Sequence, residues 1–533
     1  MATEQIQIFG NGVVFTALHE RPWASAVAIN GADVIGVGDL ADLREAWPAA
    51  EVVDLTGGTL LPGLVDAHNH FLSTGESLAS WDLRYPGVDS PEALLDVVRR
   101  AATAAEPGET LSGFGFDNAK YALPSLAELD AASTGHPVQF FHTSGHNVLV
   151  NSVVLARNGI DEHTPDPAGG RFVRDAEGRL TGLCLDGASG AVVPSEVDIG
   201  SHGPNFHSSA SLDSLVGAVD RAGRAFRAAG LTCVADAQVT SREMRGYRAA
   251  RERGLLHLRT VCMPLSHQLG EFAGIGLTGP FGDDLLSIGH LKIYADGSLT
   301  GGTAAFTAHS GVQGQDALYF NEPDDLIALI ERAWAQGWRI GVHAQGDEAI
   351  AHVLTGFERA AASAPRSDAR PRIEHAGLPT ARGVERMAAL GVITVNQPSY
   401  LADFGDEYAE SLGNLTDDMQ PWRDELEAGV RVVISSDSDV TSYRPLVTIG
   451  NAMLRRTRSG RVLGERHRLT LDEALFAHTI DAAHAVGLED RIGSLEPGKA
   501  ADLTLLGSDL RSAAPDEVAD VEVVATYLDG VRR

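Results

Sequence analysis

The chain has 533 residues, 44% apolar and 21% charged, which suits two or three domains with a large buried core and excludes a disordered composition. Its 72 acidic and 42 basic residues leave a formal charge of −30, a surface that repels phosphate backbones and argues against nucleic acid as a partner. No apolar run approaches the roughly 18 residues that span a bilayer, and MATEQIQIFGNG lacks the basic and apolar regions of a secretory signal, so no membrane partner and a cytoplasmic address are expected.

Taken in chain order, residues 5–15, 24–37 and 51–55 alternate apolar residues with turn signals such as Asn30-Gly31 and read as strands. Short apolar strands follow at 59–66, 231–236, 257–263, 288–295, 338–343, 371–375, 391–397 and 430–436. Amphipathic helices lie between most of them, at 211–229, 323–337, 347–363, 380–390 and 470–486. This alternation predicts an α/β protein with a parallel sheet, and about eight units favour a (β/α)8 TIM-type barrel over an open doubly wound sheet. Strand strips at 500–507 and 520–533 mirror those of the other end, so both termini are expected to form one small domain, 1–58 plus 488–533, beside a barrel at 59–487. Residues 72–210 exceed any ordinary strand–helix connection and are expected to be an insertion that covers the active site. It carries a helix at 91–105, strands near 109–114 and 137–142, and a hairpin at 169–182. Cys184, Cys233 and Cys262 lie in apolar segments without CxxC spacing and read as buried thiols.

The sharpest local signal is Asp66-Ala67-His68-Asn69-His70. Residues i and i+2 of a strand share a face, so His68 and His70 can offer two imidazoles to one metal ion. Other candidate ligands recur at strand ends: Lys292 in HLKIYADGS, His343 closing WRIGVH, His375 closing RIEH, and Asp437 after VVISS. Each alone has a bland explanation, an ion pair, a satisfied histidine or a helix cap. In a parallel barrel all strand C-termini converge on one mouth, and the whole set would gather there. His146, in HTSGHNVLVNS of the insertion, is a candidate for substrate contact or oxyanion stabilisation; His142, Trp81 and Asp296 are weaker pocket candidates. The chain holds no complete GxGxxG, no P-loop, no HExxH and no GxSxG.

Residues 59–70 (TLLPGLVDAHNH), 291–305, 342–349, 373–376, 434–440 and 493–502 together resemble the amidohydrolase superfamily. More narrowly they resemble its YtcJ-like, N-substituted formamide deformylase-like branch, and 145–160 (GHNVLVNSVVLARNGI) agrees. The resemblance implies a metal-dependent barrel with a small β-sandwich built from both termini. It implies metal ligation by His68, His70, His343 and His375, metal contact and proton handling by Asp437, and a carboxylated Lys292 bridging two ions. The branch often has GSDxPV after strand eight; here Ser435-Ser436-Asp437-Ser438-Asp439-Val440 puts Asp439 at the proline position, an extra carboxylate that can alter the substrate pocket.

A free lysine, with a pKa near 10.4, is a poor ligand; beside a dication and out of water it is expected to lose its proton and can then take up CO2 as an anionic carbamate, or, with a single ion, remain an amine that acts electrostatically. Metal-activated hydroxide would then attack the carbonyl of a small N-acyl or N-formyl amide, and Asp437 would carry the proton to the leaving amine. The expected cofactor is one or two divalent ions, zinc by default, and the expected partner a small-molecule substrate; oligomeric state is open, a homo-oligomer included. Deamination and lactone or ester hydrolysis are the rival chemistries, and a non-catalytic binding protein on the same fold is the rival class. VHAQGDEA shows no clear HAxxE match, which argues mildly against a deaminase.

Overall fold

A computed structural model of the chain describes residues 6–167, 170–193, 195–205, 207–312 and 317–532. The fold is α/β. One five-stranded sheet runs in the order 281–282, Leu286–Ile288, Arg259–Pro264, Leu231–Val239, Leu64–Asn69. A second runs Leu291–Tyr294, Ile340–Ala344, Arg372–His375, Ile393–Asn396, Arg431–Ile434. Every pairing in them is parallel except that of the short strand 281–282. Leu265 and Lys292 form a parallel bridge between the sheets. At the other side the Asp437 N–H donates to the His68 carbonyl at 2.9 Å and the His70 N–H to the Ser438 carbonyl at 2.6 Å. The Asp66 carboxylate adds to this link by accepting from the Ser436 N–H at 3.0 Å and the Ser436 hydroxyl at 2.6 Å.

The strands are buried along nearly their whole length, which is why each reads as an uninterrupted apolar run. Their helices follow the expected bounds closely: Leu212–Ala228, Pro323–Ala335, Asp347–Ser363 and Ala381–Leu390. Ser211 and Thr380 cap two of them by accepting a backbone N–H of the first turn, and Gly391, at φ +65°, ends the last. Three expectations need correction. Of the strand expected over 288–295 only Leu291–Tyr294 enters the second sheet, while Ile288 ends Leu286–Ile288 of the first. The helix expected over 470–486 is two helices, Leu471–Ala477 and Ile480–Val486, broken at His478-Thr479. The strand expected over 59–66 is also two. Thr59–Pro62 pairs antiparallel with Leu503–Leu506 and parallel with Val13–Phe15, whereas Leu64–Asn69 enters the parallel set. Gly63 makes the break: a Cβ there would sit 2.1 Å from the Thr232 hydroxyl, so only glycine allows the chain to pass.

Strands from the two ends of the chain share a six-stranded sheet, ordered 531–532, Val523–Leu528, Leu503–Leu506, Thr59–Pro62, Val13–Phe15, 23–24. A four-stranded sheet of Asp33–Gly38, Ala26–Asn30, Ile6–Gly10 and Glu51–Asp54 lies beside it, and Phe9, Val27, Leu60, Leu503 and Tyr527 belong to one apolar core drawn from both. Residues 5 and 533 of the expected strips lie outside the described residues.

Between 72 and 210 the chain builds a further sheet, ordered Gly170–Arg174, Leu180–Asp186, Val148–Val150, Val138–His142, Leu111–Phe116, 81–82. The helix Pro91–Ala104 packs on it through Leu94, Val97, Val98 and Ala101. The expected hairpin is present as the antiparallel pair Gly170–Arg174 and Leu180–Asp186; Gly169 lies outside the described residues. No helix among the described residues is long and apolar enough to cross a membrane.

Candidate active site

His68 lies in the strand Leu64–Asn69 and His70 one residue beyond it. His343 and His375 stand in the last two positions of their strands, and Asp437 three residues past Arg431–Ile434. These side chains meet at one place. The His70 Nε2 is 3.1 Å and the His68 Nε2 3.4 Å from Asp437 Oδ1. The His68 and His375 rings are 4.9 Å apart, and those of His343 and His375 4.5 Å. His68, His375 and Asp437 offer ligand atoms all within 4.8 Å of one another.

Each of three imidazoles has one nitrogen engaged by the protein. His68 Nδ1 meets Glu374 Oε2 at 2.6 Å, His375 Nδ1 meets Gln397 Oε1 at 2.7 Å, and His343 Nε2 meets the Gly297 carbonyl at 3.0 Å. Carboxylate, amide and carbonyl oxygens accept hydrogen bonds, which puts the proton on the engaged nitrogen and leaves a lone pair on the other. Arg372 clamps Glu374 with two hydrogen bonds of 2.8 Å.

Burial and neighbouring cations keep these rings neutral. Burial, then the Lys292 charge, lowers His68 to about 4; burial, then His68, lowers His375 to about 3. Burial pushes the Asp437 carboxyl up, but the imidazoles of His68, His70 and His375 gathered round it, with the His70 hydrogen bond, outweigh it and hold the group well below the usual carboxylate range. The Tyr400 hydroxyl donates to the other Asp437 oxygen. Lys292 is wholly buried, its ammonium 4.5 Å over the Tyr294 ring and without a hydrogen-bond partner, and burial lowers it to about 8.

A cavity of about 270 Å³ opens on this cluster. Its floor is His68, His70, His343, His375 and Asp437, and its far wall comes from the 72–210 segment, including Ser112, Phe141 and His146. Asp439 lines it too, accepting a hydrogen bond from Ser73 at 2.9 Å. Three weaker expectations fare differently. Trp81 is not on the cavity wall; it packs in the core of the 72–210 segment under Arg100. Asp296 is not on the wall either; its carboxylate, fully buried, accepts the backbone N–H groups of Ala305, Gln345 and Gly346 at 3.0 Å and so shapes the loop beside His343. His142 lies behind the wall, bonded to Ser144 at 2.8 Å. Glu374, Gln397 and Tyr400 are the contributors that sequence reasoning missed.

The amidohydrolase family model matches residues 51–533, so the chain belongs to the amidohydrolase family and is a hydrolase of the class acting on carbon–nitrogen bonds. It falls in the branch of YtcJ and N-substituted formamide deformylase. The N-substituted formamide deformylase of Arthrobacter pascens is 30% identical over 98% of this chain and 97% of its own length. The putative amidohydrolase YtcJ of Bacillus subtilis is 26% identical, with 98% of each chain covered. Among solved structures, an uncharacterized metal-dependent hydrolase from Pyrococcus horikoshii superposes with a TM-score of 0.76 at 25% identity, covering 96% of this chain and 99% of that one.

Proposed function

We propose that the chain hydrolyses the amide bond of a small N-acyl or N-formyl amine at a divalent metal centre held by His68, His70, His343, His375 and Asp437. The observation that carries this reading is that His68, His375 and Asp437 offer ligand atoms within 4.8 Å of one another, both rings being turned by a protein acceptor at their other nitrogen. Packing gains nothing from buried imidazoles with an unused lone pair, whereas a small dication does. Lys292 fits the same centre: a buried, unpartnered amine at about 8 is partly neutral near neutral pH and can take up CO2, adding an oxygen ligand for a second ion. Zinc suits this donor set.

A divalent cation bound there supplies Lewis acidity towards a carbonyl oxygen and acidifies coordinated water towards about pH 7. The chain's own groups do the rest. Asp437, an anion between imidazoles, accepts the proton of the attacking water as the C–O bond forms and returns it to the nitrogen as the C–N bond breaks, giving a carboxylic acid and an amine. His146 and Asp439 contact the substrate from the cavity walls. We read the eight long parallel strands as a closed (β/α)8 barrel at 59–487, residues 1–58 and 488–533 as a β-sandwich, and 72–210 as the cover over the site. Three free, buried cysteines suit the reducing cytoplasm.

The test is metal analysis followed by a hydrolase screen of N-formyl and N-acyl amines, esters and lactones on protein of known metal content. His68→Ala and Asp437→Asn are expected to abolish turnover with the fold intact by circular dichroism. Near-wild-type rates in both variants, or a protein that takes up no divalent ion, would overturn the reading.

A further inference from the structure

His146 reaches the cavity from a tightly pinned turn between Val138–His142 and Val148–Val150. His142 Nδ1 accepts the Ser144 N–H at 3.0 Å, Ser144 Oγ accepts the His146 N–H at 3.2 Å, and the Ser189 hydroxyl donates to the His146 carbonyl at 2.8 Å. The ring is oriented as firmly as the backbone: Nδ1 lies 2.9 Å from Asp186 Oδ1, with both side chains under a tenth exposed. Asp186 closes the strand Leu180–Asp186 in the left-handed region at φ +47°, and its N–H donates to Asn147 Oδ1 at 3.2 Å. The His146 ring is 6.4 Å from that of His343, and its Nε2 has no hydrogen-bond partner among the described residues.

We infer that Asp186 is a positioning residue that fixes His146 with its proton on Nδ1, so that Nε2 offers a lone pair to the N–H of a secondary amide bound at the centre. This rests on the amide reading above. A carboxylate accepts and does not donate, so the ring nitrogen that faces Asp186, Nδ1, carries a proton. Nε2 then offers an acceptor in a cavity otherwise rich in hydroxyls, and a substrate N–H is its natural complement. The substrate class is therefore R–CO–NH–R′; an N,N-disubstituted amide offers Nε2 no donor. The same geometry explains why an aspartate stands at 186, since Asp and Asn tolerate the left-handed backbone better than other side chains.

The zinc-loaded enzyme, labelled with 15N-histidine, tests the first half without any substrate; His146→Leu assigns the signal. A protonated Nδ1 and bare Nε2 are expected for His146 at pH 7.5, giving way to the opposite tautomer in Asp186→Asn, which keeps the backbone conformation. A wild-type ring protonated on Nε2 overturns the inference. The second half is read from kcat/KM on an N-formyl alkylamine and its N-methyl counterpart. Wild type should prefer the N–H compound by about tenfold or more, and both variants should lose that preference while their unfolding midpoints hold. An unchanged ratio in both variants overturns it. Should neither compound be hydrolysed, the amide reading fails by itself and the tautomer alone decides the Asp186–His146 pair.

Discussion

Gln397 accepts the His375 Nδ1 proton at 2.7 Å while its own amide donates to the Ser435 hydroxyl at 3.0 Å, tying a candidate ligand to the end of the last parallel strand. Gln397→Leu frees the ring to rotate and to shift its tautomer. Such outer partners typically hold 10–100-fold of metal affinity, so we expect loss on the order of tenfold or more, read by competition with a chelator. Affinity within twofold of wild type would show that the ring needs no such support. Asp439 faces the cavity. Among the described residues it gives the cavity, with Glu76 and Asp437, three carboxylates and no lysine or arginine. N-acyl substrates bearing an ammonium should be favoured over carboxylate-bearing ones, with Asp439→Asn narrowing the ratio by on the order of tenfold in kcat/KM. Equal ratios in both proteins would remove Asp439 from recognition. The candidate ligands were legible as a set because an HxH step and a series of histidines at strand ends have no packing reason to recur. Glu374 was not, because a carboxylate inside RIEH reads as a break in a buried strand; only its clamp by Arg372 and His68 makes burial tolerable. Asp186 lies 40 residues from His146, and no local pattern links them.

At the level of elements, the parallel strands and their helices were legible to within a few residues, since strands buried on both faces leave short apolar runs between amphipathic helices. The break at Gly63 was not: both halves of 59–69 are apolar, and what separates them is the close passage of Thr232, a contact from a strand far along the chain. One helix, Trp422–Ala428, carries a test of its own. Glu425 is fully buried under the strand Ile393–Asn396 and accepts the Thr394 hydroxyl at 2.9 Å. Burial raises its carboxyl to about 7 despite that hydrogen bond. The folded state therefore holds a proton that the unfolded chain, near 4.5, has already released. The stabilisation is complete below about pH 4.5 and is lost as pH rises through 7, amounting to at most about 3 kcal/mol. Asp66 and Asp296, raised by burial to about 6 and 7, push the whole protein the same way. Glu425→Gln keeps an acceptor for Thr394 and cannot ionise. Its urea midpoint, relative to wild type, should rise between pH 5 and pH 8; a constant offset across that range would mean that Glu425 ionises in the fold without cost.

For the molecule as a whole, the question is what the metal does for stability as distinct from activity. The candidate ligands stand at strand ends, above separate apolar cores that hold Phe226, Tyr247 and Trp422 on one side and Trp334, Trp338 and Phe357 on the other. The first of those cores reaches the centre through Tyr400, but the large aromatic residues named above do not line the cavity, and Glu374, Gln397 and the Gly297 carbonyl already satisfy one nitrogen of three of the rings. Removing metal leaves neutral His68 and His375, and a His70 whose pKa is raised against burial by the Asp437 hydrogen bond and charge, around one anion that Tyr400 still bonds, an arrangement the fold can carry. Unlike a small domain that folds only around its ion, this chain should survive chelation with its far-ultraviolet circular dichroism and cooperative unfolding unchanged, while turnover disappears. Because an ion binds the folded state alone, its return at about 100 times the dissociation constant adds roughly 2.7 kcal/mol. The unfolding midpoint should therefore climb with free zinc by a few degrees, with recovery of turnover following the same concentration dependence. Two outcomes would break this account: chelated protein that melts non-cooperatively, or a midpoint indifferent to zinc while activity returns, which would place the catalytic ion somewhere other than among these side chains.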